Sequence, residues 1–473
     1  MRRHYNVTFA LLAIAAIGYA LLQSLVAPAL PDIQHALHTS VNGVSWVLTA
    51  YLLSASIATP LIGRLGDMYG KQRLLVVILV VLCGATVISA VATSLPLMLT
   101  GRVVQGAAGG VFPLAFGIVR DEFPRERVAG SIGILSSILG IGGGIGIVLG
   151  GLIVEHLNYH WLYWIPLVVT VAAAICTWRF VPESPVRVPG RVNWLAASLM
   201  TAGFCCMLIA ISETTTWGWG SAKTLGLLAV GIALTGAWIL VEVRSEVPLI
   251  DMTMMRIRGV WTTNLVAFLL GAGMYASFLI LPQFAQLPTS TGFGFGASVV
   301  VAGLYLLPAA VGMSALGSVA GRVARRWGSK NAVIAGSGVT ALAFAVLAIA
   351  HGHPYDMLIS AALMGIGIGL AFAALGNLIV EAVSPEQTGA ATGMNTVMRT
   401  LGGALGGQIV ATLIADNVTN GLPNVTGFTA ALFLQAGFLA VAMLAGTLIP
   451  GRTRVAPVPA LEQRELAPMQ EVG

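Results

Sequence analysis

The feature that most constrains this chain is a recurrence. Fourteen separate apolar stretches occur near 8–30, 44–63, 74–93, 97–118, 131–154, 161–180, 193–212, 222–242, 260–281, 297–320, 331–350, 355–379, 394–415 and 427–449. Each is close to the roughly 20 residues that a helix needs to cross a bilayer. The runs are long and do not alternate, which argues against a transmembrane β-barrel, and helices satisfy their own backbone hydrogen bonds, as hydrocarbon demands. Composition agrees: 473 residues, 57% hydrophobic, 9% charged, 57 glycines, mean hydropathy +0.89. Soluble chains carry about a quarter charged residues, so a soluble enzyme, a disordered chain and a nucleic-acid binder are excluded. The sequence predicts an all-α polytopic membrane protein. Its first stretch is longer than the apolar core of a signal peptide and follows Arg2 and Arg3, so it reads as a retained helix entering from the cytoplasm.

Charge sets the expected orientation. With the N-terminus inside, 21 of the 24 basic residues fall on inner segments, only Lys223 falls outside, and Arg102 and Arg399 lie within spans. This bias is the positive-inside pattern. It predicts a multi-pass protein of the cell membrane with both termini cytoplasmic. The net charge of +6 then faces anionic lipid headgroups rather than nucleic acid. The ten tryptophans sit near the expected helix ends, Trp46, Trp161, Trp164, Trp217 and Trp219 outside and Trp178, Trp194, Trp238, Trp261 and Trp327 inside, as an interfacial belt would require. All four cysteines (Cys83, Cys176, Cys205, Cys206) fall within apolar spans, so neither a disulfide framework nor a thiolate metal site is expected. The pairs His156/His160 and His351/His353 invite a metal or pH-sensing reading, but read better as outer-loop residues. No metal site and no cofactor are expected.

The chain also repeats itself. Gly63-Arg-Leu-Gly-Asp-Met-Tyr-Gly70 returns as Gly321-Arg-Val-Ala-Arg-Arg-Trp-Gly328 at an offset of 258. Gly106-Ala-Ala-Gly-Gly110 returns as Gly365-Ile-Gly-Ile-Gly369 at 259, and Pro124 returns as Pro385 at 261. A six-helix unit is therefore duplicated, with the first six stretches matching the last six. The expected division is an N-terminal six-helix bundle (1–185), an inserted seventh and eighth helix with flanking loops (186–255), a C-terminal six-helix bundle (256–450) and a disordered cytoplasmic tail (451–473). Parallel six-helix repeats around a central site are a common transporter plan.

The segment Gly63-Arg64-Leu65-Gly66-Asp67-Met68-Tyr69-Gly70-Lys71-Gln72-Arg73 resembles the G-x-L-x-D-x-x-G-[RK]-[RK] signature of the major facilitator superfamily. It falls where that family places it, in the turn after the second helix. The helix count resembles the fourteen-span drug:proton antiporter branch, and the similarity covers the chain up to about residue 451. The resemblance implies that Asp67 sits against the N-terminus of the thirteenth helix, near Gly393, as a conformational latch. Gly63, Arg64, Gly70, Lys71 and Arg73 would complete it. Arg102 with Gln105 and Gly106 resembles the family's R-x-x-x-G element in the fourth helix; it is read either as a structural arginine or as one facing the central cavity. The fifth helix, with Gly142, Gly146, Gly150 and Gly151, resembles the antiporter glycine motif, with Ile147 in place of its proline. Glycines four apart permit close helix approach, and this helix is expected to rock against the tenth.

The branch's membrane aspartate aligns with Leu22 here, and no acid lies mid-span. Proton coupling, if present, is therefore assigned to a peripheral acid such as Glu155 or Glu213, or to the charge state of the Arg102 neighbourhood. Gln23, Tyr51, Asn264, Tyr275, Asn395 and Arg399 are candidates for the substrate cavity, with Phe112, Phe116, Phe278 and Phe372 as aromatic walls. With arginines as the only membrane charges, neutral or anionic amphiphiles are expected rather than dications. The function read from the sequence is a secondary active transporter that exports small amphiphilic compounds by alternating access. Its partners would be a small-molecule substrate, the lipid bilayer and a proton or other coupling ion, and the protein is expected to be monomeric. An importer or facilitator of a small metabolite is the alternative. A membrane-embedded enzyme or sensor is a second class, for which the spans offer no cluster of nucleophile, base or metal ligands.

Overall fold

A computed structural model describes residues 5–185, 192–246, 248–291, 293–419 and 422–451. Arg2, Arg3, Arg187, Arg191, Arg452, Arg454, Arg464 and the expected tail beyond Gly451 lie outside the described residues, as do the side chains of Phe278 and Arg325. Helix covers all fourteen apolar stretches. In chain order they are α1 (Tyr5–Ser24), α2 (Val41–Tyr69), α3 (Lys71–Ala90), α4 (Leu95–Gly106, then a 3-10 turn Ala107–Gly110, then Val111–Glu122), α5 (Arg125–His156), α6 (Trp161–Phe180) and α7 (Trp194–Ser212). There follow α8 (Ala222–Arg244), α9 (Arg258–Met274, then Ser277–Gln286), α10 (Val299–Tyr305, then Leu307–Trp327), α11 (Ser329–Ile349), α12 (Pro354–Ala382), α13 (Thr388–Ala415) and α14 (Val425–Gly446).

Among the described residues, 12 helices are long and apolar enough to cross a membrane. The other two stretches are α5 and the interrupted α9. The interruptions have local causes. In α4 the tighter turn falls on the glycine-rich run 106–110, where backbone freedom is greatest. In α10 the break precedes Pro308, which has no N–H to offer the preceding turn.

Several helices begin or end outside their apolar windows. The segment 63–73, expected to be a turn, is helical except at Gly70, whose φ of 111° both ends α2 and precedes the first residue of α3. Its repeat partner Gly328 does the same between α10 and α11 at φ 83°. Only glycine takes this conformation without strain, so both copies of the motif fold into one kind of turn.

One apolar core cluster runs through α1–α6 and takes in α7 and parts of α8, α12 and α13; a second runs through α9–α12 and α14. The two groups meet chiefly where α2 packs on α13 and α5 packs on α10 and α12. Helices α7 and α8 pack on each other, and α7 also lies on α2 and α13. Five tryptophans (161, 178, 194, 261 and 327) are exposed on the surface, as a belt requires. Trp238 departs from that expectation: it is buried and donates to Glu242 Oε1 at 3.0 Å. A two-residue antiparallel ladder, Val418–Thr419 with Leu422–Pro423, lies between α13 and α14.

Candidate functional site

The face bearing Arg64, Arg73, Arg120, Arg125 and Arg127 is sealed by a seam between α2, α4 and α13. Asp67, 1% exposed, accepts hydrogen bonds from the backbone N–H groups of Gly389 (3.1 Å) and Ala390 (3.3 Å). These are first-turn donors of α13, which lack intrahelical partners, and the helix dipole favours an anion there. The contact falls four residues before the expected Gly393 because α13 starts at Thr388, ahead of its apolar run. Gly393 packs instead on Pro60. Lys71, fully buried, lies 3.5 Å from Asp67 and donates to Asp121 Oδ2 at 2.6 Å; its stem runs over Gly117. Ser184 also donates to Asp121.

Arg120 spans the seam, donating to Thr388 Oγ1 (2.6 Å) and to the carbonyls of Ser384 (3.1 Å) and Val383 (2.7 Å) beyond the end of α12. Glu183 caps α3 by accepting from the N–H groups of Gln72 and Arg73, and a Cβ on Gly70 would strike its carboxylate. Arg73 reaches the same carboxylate at 3.6 Å from an exposed position. Arg64 contributes no hydrogen bond through its buried Nε. Outside the spans, burial works against the charge of Asp251, but hydrogen bonds from Thr253 and Gln387 outweigh it and hold its carboxyl below the usual range; the Gln387 bond ties the α8–α9 connection to the start of α13. Arg120, Asp121 and Glu183 were missed as site residues. The available signal was acids placed among the bases of inner segments.

Two glycine contacts related by the repeat hold the seam. A Cβ on Gly63 would collide with the Gly389 carbonyl, and one on Gly321 would lie 2.6 Å from the Gly130 Cα. The first contact carries the Asp67 cap; the second has Arg325 at the equivalent position.

In the first six helices the surroundings of Arg102 match its structural reading, and the α5 motif glycines lie away from α10 although α5 itself packs on α10. Arg102 lines no open cavity: it is fully buried between α1, α2 and α4. Its Nε donates to the Val47 carbonyl (2.9 Å), and its Nη1 donates to the Leu22 carbonyl (3.2 Å) and Gln105 Oε1 (2.8 Å). The guanidinium stacks over Tyr51 at 4.4 Å, and Gln105 donates on to Thr86. Leu22 lies in the last turn of α1, where carbonyls lack helical donors, so the arginine is drawn to it. Gly106 allows this packing by touching α2 at Tyr51 and Ser54. The α5 motif glycines face α1 rather than α10. A Cβ on Gly142, Gly146 or Gly150 would strike Ala20, Ser24 or the Leu25 carbonyl, and Ser24 donates to the Gly142 carbonyl at 2.6 Å. Gly151 is buried on the same helix. The α5–α10 contact uses Gly130, Ser137, Gly317 and Gly321. Both neighbours approach α5 at backbone distance, α1 at the motif glycines and α10 at Gly130.

Two spaces lie along α13. A chamber of about 20 Å³ between α4, α5, α12 and α13 is lined by Phe112, Phe116, Ser136, Phe372, Thr392, Asn395, Thr396 and Arg399, among others. Arg399 lies 4.6 Å over the Phe372 ring, and its buried Nε has no hydrogen-bond partner. Asn395 donates to Asn264 Oδ1 at 3.0 Å, which ties α13 to α9. Toward the opposite face a cavity of about 450 Å³ opens among α2, α7, α9 and α13, lined by Thr49, Leu52, Leu208, Ser212, Tyr275, Gln283, Gln408 and Pro423, among others. No charged residue lines it. Of the cavity candidates, then, Tyr275 lines the larger space and Asn395 and Arg399 the smaller; Tyr51 is buried under Arg102, Asn264 backs Asn395, and Gln23 is half-buried near the end of α1. Glu155 is exposed at the end of α5. Glu213 is 7% exposed at the end of α7, next to Ser212. Helix α7 thus borders the larger cavity, and Trp219 between α7 and α8 donates to Thr412 of α13 at 3.0 Å.

Comparison with known proteins agrees with this architecture. The family described as Major Facilitator Superfamily matches residues 12–407 and again 263–472. The tetracenomycin C resistance and export protein of Streptomyces glaucescens is 28% identical over 392 residues, 81% of this chain and 71% of that protein. The multidrug transporter protein MdtP of Bacillus subtilis is 28% identical over 387 residues, 80% of this chain and 70% of that protein. In fold, the chain resembles the human organic anion transporter MFSD10 (TETRAN), with a TM-score of 0.68 at 15% identity over 93% of this chain and 99% of that one.

Proposed function

This chain belongs to the Major Facilitator Superfamily, a family of transporters rather than enzymes, and from that premise we propose that it exports small amphiphilic compounds by alternating access. The basic face is assigned to the cytoplasm by the positive-inside pattern, with both termini there and fourteen crossings in the cell membrane. The arrangement is then an outward-open state. One observation carries the reading: the Asp67–Lys71–Asp121 and Arg120 contacts seal one face, while a cavity of about 450 Å³ at the junction of the two helix groups opens to the other. Its volume falls within the range typical of small-molecule sites. The names of the relatives, a multidrug transporter and an antibiotic export protein, support efflux. Rocking about the α2–α13 and α5–α10 contacts would open the seam and close the cavity.

Energy comes from an ion gradient, with protons as the first choice. Glu213, buried beside the cavity, is a better coupling residue than the exposed Glu155. The protein acts as a monomer. The test is flux in vesicles of known orientation. An exporter accumulates an amphiphile such as a dansyl amide in inside-out vesicles, and a protonophore abolishes that accumulation. Uptake in right-side-out vesicles alone identifies an importer instead.

A further inference from the structure

Among the described residues, no ion pair reaches Arg399. It is the twelfth residue of α13, about 16 Å along the helix at 1.5 Å per residue, and so lies deep within the apolar layer. Insertion of such a charge costs about 2.5–3.5 kcal/mol or more. The walls of its chamber are aromatic rings and neutral hydroxyl and amide groups, with no carboxylate. Its Nε is buried and has no hydrogen-bond partner, and its guanidinium lies 4.6 Å over the face of Phe372. A planar guanidinium in this state is half of an ion pair, shaped to take a carboxylate or similar oxyanion through parallel N–H donors. The chamber, at about 20 Å³, has room for little more than a water-sized group, so it selects a small head and excludes a bulky body.

We propose that the transported molecules are amphiphiles with one acidic group, and that the acid is held by Arg399. This names the substrate class of the transport reading above and rests on it.

The test uses three matched probes, dansylglycine (anion), dansylglycinamide (neutral) and dansyl-ethylenediamine (cation), with the purified full-length protein. Fluorescence binding and vesicle flux are both measured. A charge-assisted pair sets the expectation of about a tenfold or greater preference for dansylglycine over its amide. R399Q removes that preference, and R399K, which keeps the charge, retains part of it. Wild type binding the acid no better than the amide, or R399Q keeping the preference, overturns the proposal, as does absence of acid binding. Movement of the amide without any charge preference leaves the export reading standing and removes this one. Arg399-dependent binding of the acid without flux does the reverse.

Discussion

Two arginines lie within the spans of this protein, and they are held differently. Arg102 has a carbonyl from α1, a carbonyl from α2, the amide of Gln105 and the ring of Tyr51, and only its Nη2 is buried without a partner. Arg399 has the ring of Phe372 and an unsatisfied Nε. The first arginine ties three helices together within one group. The second stands between the two groups, facing a space. Expense alone therefore does not mark a buried charge as functional; the partners decide. A cation given three acceptors by its own fold stabilises that fold, whereas one given none among the described residues is open to a ligand.

Stability separates the two most sharply. R102A leaves the Leu22 carbonyl and Gln105 Oε1 without their donor inside a closed core. At about 1–3 kcal/mol per unsatisfied group, plus the cavity left by the side chain, the loss is about 3–6 kcal/mol. Thermal unfolding in detergent would show it as a large fall in Tm or a failure to accumulate folded protein. Q105L removes one acceptor and breaks the link to Thr86, and its expected cost is smaller, about 1–3 kcal/mol. Among the described residues R399Q breaks no side-chain hydrogen bond, and its Tm should stay within the equivalent of about 1 kcal/mol of wild type. If R399Q unfolds as readily as R102A, the contrast between the two sites is wrong.

How these features stand in the sequence differs from one to the next. The fourteen apolar stretches, the repeat and the Asp67 motif are local patterns, and each reappears as helix, paired turn and helix cap. Helix ends were harder to read, because polar first turns such as Thr388–Thr392 extend beyond the apolar window. Partners across the fold were harder still. The α5 glycines announce close packing without saying whether α1 or α10 receives them. Arg102 and Arg399 look alike as isolated letters, since what distinguishes them is the direction of carbonyls distant in the chain. Arg120, Asp121 and Glu183 gain their meaning only when α4, the segment after α6 and the start of α13 are brought together. Leu22 is instructive: its side chain lacks the acid expected by resemblance, yet its backbone carbonyl meets Arg102.

The account depends most on the basic-face seam being a gate rather than a fixed joint. Cysteines replacing Arg120 and Thr388, whose side chains now meet at 2.6 Å, place one thiol on each side of it once the native Cys83, Cys176, Cys205 and Cys206 are changed to serine. A short thiol-specific bridge attached through reducible disulfides should arrest dansyl-probe flux, and a reductant should restore it. Undiminished flux through the bridged protein would contradict the gate and the alternating-access mechanism built on it.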